Sequence, residues 1–142
     1  MKEIKGNIWD YWEEGFYIVV PTNGFVKKDN KAVMGRGLAL QACQKFPTLS
    51  KSLGARIRLK GNNVYFWEEF RLITFPVKNN WWEVADLSLI QKSCITLSKI
   101  AKEFYPLYMP KVGCGNGKLI WEKVKPILYT YLKDKVVIVD IE

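Results

Sequence analysis

Lys78 lies in the segment Phe75-Pro76-Val77-Lys78-Asn79-Asn80-Trp81-Trp82, close in sequence to two adjacent tryptophans. Aromatic faces that strip water from an ammonium lower its pKa. A lysine treated in this way becomes a better nucleophile, or a positive charge aimed at one point. The ordinary alternative is a solvated loop lysine beside tryptophans that pack against a sheet. Two glycine-rich segments suggest a second kind of chemistry. Met34-Gly35-Arg36-Gly37-Leu38 leads into a helical stretch, so its backbone can bring N–H groups up to an anion at a helix N-terminus. Gly113-Cys114-Gly115-Asn116-Gly117 has three glycines in five residues, and such a run can fold into a concave nest of amides around a diphosphate. Either segment could instead be a plain turn into a helix. Asn23, followed by Gly24, reads as a turn dipeptide, or as an amide placed to hydrogen-bond a sugar hydroxyl.

The 142 residues include no histidine. Ser-His and Cys-His nucleophile pairs and the usual zinc sites are thereby excluded. Chemistry falls to carboxylates, lysine, backbone dipoles or a bound water, with no metal and no cofactor expected. Cys43, Cys94 and Cys114 are scattered without a CxxC spacing, which suggests reduced thiols and a cytoplasmic setting. A formal net charge of +8 favours polyanionic partners, nucleic acid among them. A well-solvated lysine surface would carry the same charge.

The residues that could act must be held by regular elements, and the chain reads as one domain over 1–142. Met1 to Trp9 has the look of a polar-apolar strand and not of a signal peptide. No window is long and apolar enough for a membrane span. Phe16 to Val20 is a buried-strand run closed by Pro21 and the Asn23-Gly24 turn. Ala39, Ala42, Cys43 and Phe46 recur at helical spacing, with Pro47 as the stop. Val64 to Trp67 and Arg71 to Phe75 read as strands. Leu87, Ile90, Cys94, Leu97, Ala101 and Phe104 define one face of a helix over 86–104, with Asp86 as its N-cap. Leu107 to Val112 reads as a short buried strand. Val124, Ile127, Leu128 and Tyr131 mark another helix, which tolerates Pro126 only in its first turn. Lys135 to Ile141 is a β-branched final strand. Alternating strands and helices predict a three-layer α/β/α fold on a mixed, mostly parallel sheet. In such sheets ligands bind beyond the carboxyl ends of the strands.

In this order, the pieces resemble the macrodomain family over nearly the whole chain. The resemblance runs through Lys5-Gly6-Asn7-Ile8, the strand ending at Asn23, and Ala32-Val33-Met34-Gly35-Arg36-Gly37-Leu38-Ala39. It continues through Phe75-Pro76-Val77-Lys78, Met109-Pro110-Lys111-Val112-Gly113-Cys114-Gly115-Asn116-Gly117 and Trp121-Glu122. Within the family it is most similar to the branch of antitoxin DNA ADP-ribosyl glycohydrolases and their glutamate-processing relatives. The resemblance implies ADP-ribose binding, with Asn7 and Ile8, or nearby Asp10, by the adenine and Asn23 by the distal ribose. Met34 to Leu38 and Gly113 to Gly117 would surround the diphosphate. Lys78 matches the lysine implicated in hydrolysis, acting near the anomeric carbon by direct attack or by stabilising developing charge. The glutamate-processing relatives use an aspartate where this chain has Gly117. The link Lys27-Lys28-Asp29-Asn30-Lys31 is also more polar than the family pattern, and Asp29 or Asn30 could face the ribose.

Three functions compete at this point. One is an ADP-ribosyl hydrolase acting on a modified nucleobase or an acidic side chain, with Trp81 and Trp82 available to stack on bases. Another is an ADP-ribose 1″-phosphate phosphatase, in which Lys78 would be dispensable or merely electrostatic. The third is a reader without chemistry, favoured by the missing aspartate. A monomer is expected in each case.

Overall fold

Hydrophobic alternation in the strands feeds two separate apolar layers in the computed structural model, which describes residues 1–141. The elements are β1 (Lys2–Lys5), α1 (Ile8–Glu13), β2 (Ile18–Asn23), α2 (Gly37–Lys45), α3 (Leu49–Lys60), β3 (Tyr65–Trp67), β4 (Leu72–Lys78), α4 (Leu87–Phe104), β5 (Leu107–Met109), α5 (Trp121–Leu132) and β6 (Val136–Asp140). The six strands form one sheet in the order β1-β6-β5-β2-β4-β3. All neighbours are parallel except β3 and β4, so the sheet is mixed and mostly parallel. Val19 points one way, into a core with Phe75, Met109 and Ile138 under α4 and α5. Ile18 and Val20 point the other way, towards Ala42 of α2 and Leu49 and Leu53 of α3. That period of two along β2 gives the three-layer α/β/α arrangement its two interfaces. Among the described residues no helix is long and apolar enough to cross a membrane.

The structure corrects three local expectations. Met1 to Trp9 is not one strand: β1 stops at Lys5, and the Asn7 side chain accepts the Trp9 N–H at 3.0 Å and so starts α1. The strand expected over 107–112 ends at Met109, because Pro110 has no N–H to continue a ladder. Pro126 lies beyond the first turn of α5, which begins at Trp121. It is exposed, so the backbone carbonyl that loses its partner faces water. Asp86, by contrast, caps α4 as its position predicts, accepting from the Ser88 N–H at 2.8 Å and the Leu89 N–H at 3.4 Å.

Parallel pairing aligns the carboxyl ends of β2, β4, β5 and β6 on one edge. Asn23 at the end of β2 lies opposite Lys78 at the end of β4, after a register shift between Thr22 and Asn23. The loops leaving those ends surround a single opening.

Candidate functional site

That opening is a cleft of about 810 Å³, within the range of small-molecule sites. Its walls include Asn23, all of Met34 to Leu38, Lys78, and all of Gly113 to Gly117. The two glycine segments, remote in sequence, meet there: a methyl group placed on Gly37 would sit 3.6 Å from Asn116 Nδ2. A methyl group on Gly35 or Gly115 would meet nothing within 4 Å, so both face open space.

The first segment ends on the N-terminus of α2. Its N-cap, Arg36, is extended and makes no side-chain capping bond, which leaves the first N–H groups of the helix without a side-chain partner. Free N–H groups at the positive end of a helix dipole suit an anion. Asn23 anchors this segment from the sheet. Its Nδ2 donates to the Val33 carbonyl at 3.0 Å, and its Oδ1 accepts the Phe25 N–H at 2.9 Å. The buried amide therefore fixes the loop geometry while also lining the cleft.

The second segment is held against α4. Gly113 has φ of +75°, and a Cβ there would come within 2.9 Å of Ile90 Cδ1. A Cβ on Gly117 would lie 2.5 Å from the Gly113 carbonyl oxygen and 2.8 Å from the Ala85 methyl. The Gly117 carbonyl in turn accepts the Ala85 N–H at 2.9 Å. A carboxylate-bearing residue at 117 has no room without moving backbone. The position that the resemblance matches to an aspartate of the glutamate-processing relatives is closed by packing.

Lys78 is half-buried in the cleft wall. Burial lowers the pKa of its ammonium, the nearby cations Arg36 and Lys118 lower it further, and Glu83 pulls the other way. The direction, and desolvation as its largest cause, match the sequence expectation. Trp81 and Trp82 are 50% and 59% exposed, so they stand at the rim and do not pack against the sheet. Lys118, which follows the second glycine segment, lines the cleft and was not foreseen. Its position directly after the glycines was the available signal. Lys111 and Asp140 also line the cleft, and they neutralise one another across 3.0 Å. The rule that ligands sit at strand ends would have pointed to Asp140, the last residue of β6.

The remaining candidates lie elsewhere. Asn7 and Ile8 are outside the lining: the Asn7 side chain caps α1, and Ile8 is buried in the α1–α3 layer. Asp29 and Asn30 are exposed on a loop whose turn is closed by their own bonds, from the Lys31 N–H to Asp29 Oδ1 and from the Asn30 N–H to the Lys27 carbonyl. Among the described residues no cluster of His, Cys, Asp and Glu could hold a metal, and the three cysteines are free thiols.

The same architecture is found in solved structures. The macrodomain of Thermus aquaticus DarG superposes with a TM-score of 0.78 at 21% identity, covering 99% of this chain and 97% of that one. The chain has the macrodomain fold. A second macrodomain, that of Mycobacterium tuberculosis DarG, matches with a TM-score of 0.73 at 23% identity, over 88% of this chain and 87% of that one. Thermosipho africanus DarTG in complex with ADP-ribose matches with a TM-score of 0.78 at 20% identity, over 100% of this chain and 42% of that one. By sequence, the chain is 28% identical to proteins named DNA ADP-ribosyl glycohydrolase from Mycobacterium tuberculosis and Mycobacterium bovis, over 66% of its length. The match spans 30% of the length of those curated relatives. No family model matches the chain.

Proposed function

We propose that this single domain binds ADP-ribose in the cleft and hydrolyses the bond joining the distal ribose to a nucleobase of DNA or to an acidic side chain. The observation that carries the reading is the meeting of two open glycine segments beside one half-buried lysine. The diphosphate lies on the amides of Gly35 to Leu38 and Gly113 to Gly117, with Arg36 and Lys118 offsetting its charge. The distal ribose then falls beside Asn23 and Lys78, which lie opposite one another at adjacent strand ends. Hydrolysis forms a bond from water oxygen to the anomeric carbon, breaks the bond to the substituent, and delivers the water proton to the leaving group. Rigid placement of the diphosphate aligns that carbon. Lys78 acts there either as a nucleophile, whose amine displaces the protonated substituent and is itself displaced by water in a second step, or as a fixed charge on the direct attack of water. A lowered pKa serves the first role by raising the free-amine fraction. Two relatives that bear the name DNA ADP-ribosyl glycohydrolase support the DNA linkage. The reduced thiols and the charge suit a cytoplasmic monomer that meets nucleic acid.

Gly117 favours a second reading, a binder without chemistry, because no carboxylate can stand there to activate water. Purified protein presented with ADP-ribosylated DNA, a glutamate-ADP-ribosylated protein and ADP-ribose 1″-phosphate separates these readings. Turnover of the DNA or the glutamate conjugate is expected. Turnover of the phosphate alone makes the chain a phosphatase, and binding without turnover makes it a reader. Lys78→Ala should cut release by roughly 10²–10⁴-fold while free ADP-ribose still binds, as judged by calorimetry. Full turnover in that variant rules out a role for the lysine.

A further inference from the structure

Trp81 and Trp82 form the rim of the cleft next to Lys78, and both are more than incidentally exposed, at 50% and 59%. Tryptophan is usually largely buried, so two adjacent half-exposed indoles are uncommon on a surface with no use for them. They are also held in place. Trp82 meets Phe25 edge to face at 5.5 Å, and Trp81 stands perpendicular to Trp82 at 5.5 Å. Phe25 is itself tied to the sheet through its N–H, which donates to Asn23 Oδ1. The result is a fixed aromatic corner rising from the same residue that orients the first glycine segment.

Space continues beyond Lys78. A smaller cavity of about 420 Å³ shares Lys78, Glu83 and Val84 with the main cleft and extends to Asp86 and Leu119. In the proposed placement, with the distal ribose at Lys78, this corner borders the path open to the attached group. The charges there suggest what that group is. The two carboxylates nearest the corner are engaged in backbone capping, Glu83 with the Asn80 N–H at 2.7 Å and Asp86 with the N–H groups at the start of α4. The cations are less committed: Arg36 and Lys118, both exposed, line the cleft and flank Lys78. Aromatic faces bordered by free cations are the combination that binds single-stranded nucleic acid, through stacking on bases and attraction to phosphates.

We propose that Trp81 and Trp82, braced by Phe25, form a stacking subsite for an unpaired nucleobase of the strand that carries the ADP-ribose. This rests on the reading of the cleft given above, but it can fail separately. In a duplex the base faces are occupied by their neighbours, so the subsite requires a single strand or an extruded base.

Fluorescence anisotropy with a labelled, unmodified single-stranded deoxyoligonucleotide tests it, beside an abasic strand of equal length and a duplex. The base-bearing strand should bind more tightly than the abasic strand by roughly 5- to 100-fold, the range expected for stacking on one or two aromatic side chains. Trp82→Ala and Trp81→Ala should reduce that advantage, and Trp82→Phe should retain most of it. Thermal unfolding of each variant checks that it is folded. Equal affinity for the base-bearing and abasic strands overturns the proposal, as does an advantage that survives both alanine variants. Concentration-dependent self-association abolished by Trp82→Ala also overturns it, in favour of a second copy as occupant. Calorimetry with free ADP-ribose on the wild-type protein reports on the cleft by itself: no binding there sinks the hydrolase reading, whatever the strands do.

Discussion

The two glycine segments line one cleft but hold their glycines for different reasons. In the first, Gly35 faces open space, and Gly37, at φ of +57°, turns the chain into α2, where a Cβ would make only ordinary contact with Asn116 Nδ2 at 3.6 Å. In the second, Gly115 is as open as Gly35, yet Gly113 and Gly117 on either side of it are pressed against Ile90, Ala85 and backbone. A motif that looks uniform in sequence therefore mixes residues that face the open cleft with residues kept small by the core. Close-packed interiors penalise even one added methyl group, whereas a solvent-filled cleft does not.

That contrast can be broken by substitution. The largest effect on stability is expected at Gly117, where the nearest atom is a backbone oxygen that cannot swing away. Gly117→Ala should destabilise the fold by roughly 3 kcal/mol, read as a drop in the denaturant midpoint. A variant as stable as wild type would show that the segment yields, and the closed position would then be open to a carboxylate. Gly115→Val should do the reverse. Its stability should stay within about 0.5 kcal/mol of wild type, while calorimetry shows ADP-ribose affinity falling by roughly tenfold or more as side-chain bulk blocks the amides. Unchanged affinity would make the loop a turn and nothing more.

A subtler test concerns the cations that the two segments bring to Lys78. If the free amine is the active form, the rate rises with pH and levels off above the Lys78 pKa, which burial, Arg36 and Lys118 hold below the ordinary lysine value. Lys118→Gln removes one repelling charge, so the pKa rises and the curve moves to higher pH. Glu83→Gln removes the charge that favours the ammonium and moves the curve to lower pH. Matching shifts in a pH–rate profile would tie both groups to the lysine. A profile that neither substitution moves would leave Lys78 acting only as a fixed charge.

Much of the architecture was legible where local physics decides. Asp86 caps α4 because a short acceptor before an apolar helical stripe has few other uses, and the β-branched run at the C-terminus became β6. Local rules failed where competing signals overlapped. Asn7 begins a helix inside what reads as one strand, and Pro126 survives within α5 because its face is wet. At the site, Lys78 and both glycine segments were apparent from residue type. The outward turn of Trp81 and Trp82 was not, since a tryptophan beside a strand end can equally turn inward.

From its sequence alone this chain is committed to the absence of histidine, a net positive charge, an alternating α/β order and two glycine-rich turns that follow strands or precede helices. Those properties depend on residue type and near neighbours, which the linear order contains. Only the folded sheet decides that residues near 35 and near 115 share one cleft, that Arg36 and Lys118 act together on Lys78, and that Gly117 leaves no space for a side chain. Such facts rest on distances between segments far apart in the chain, and parallel strand pairing sets those distances.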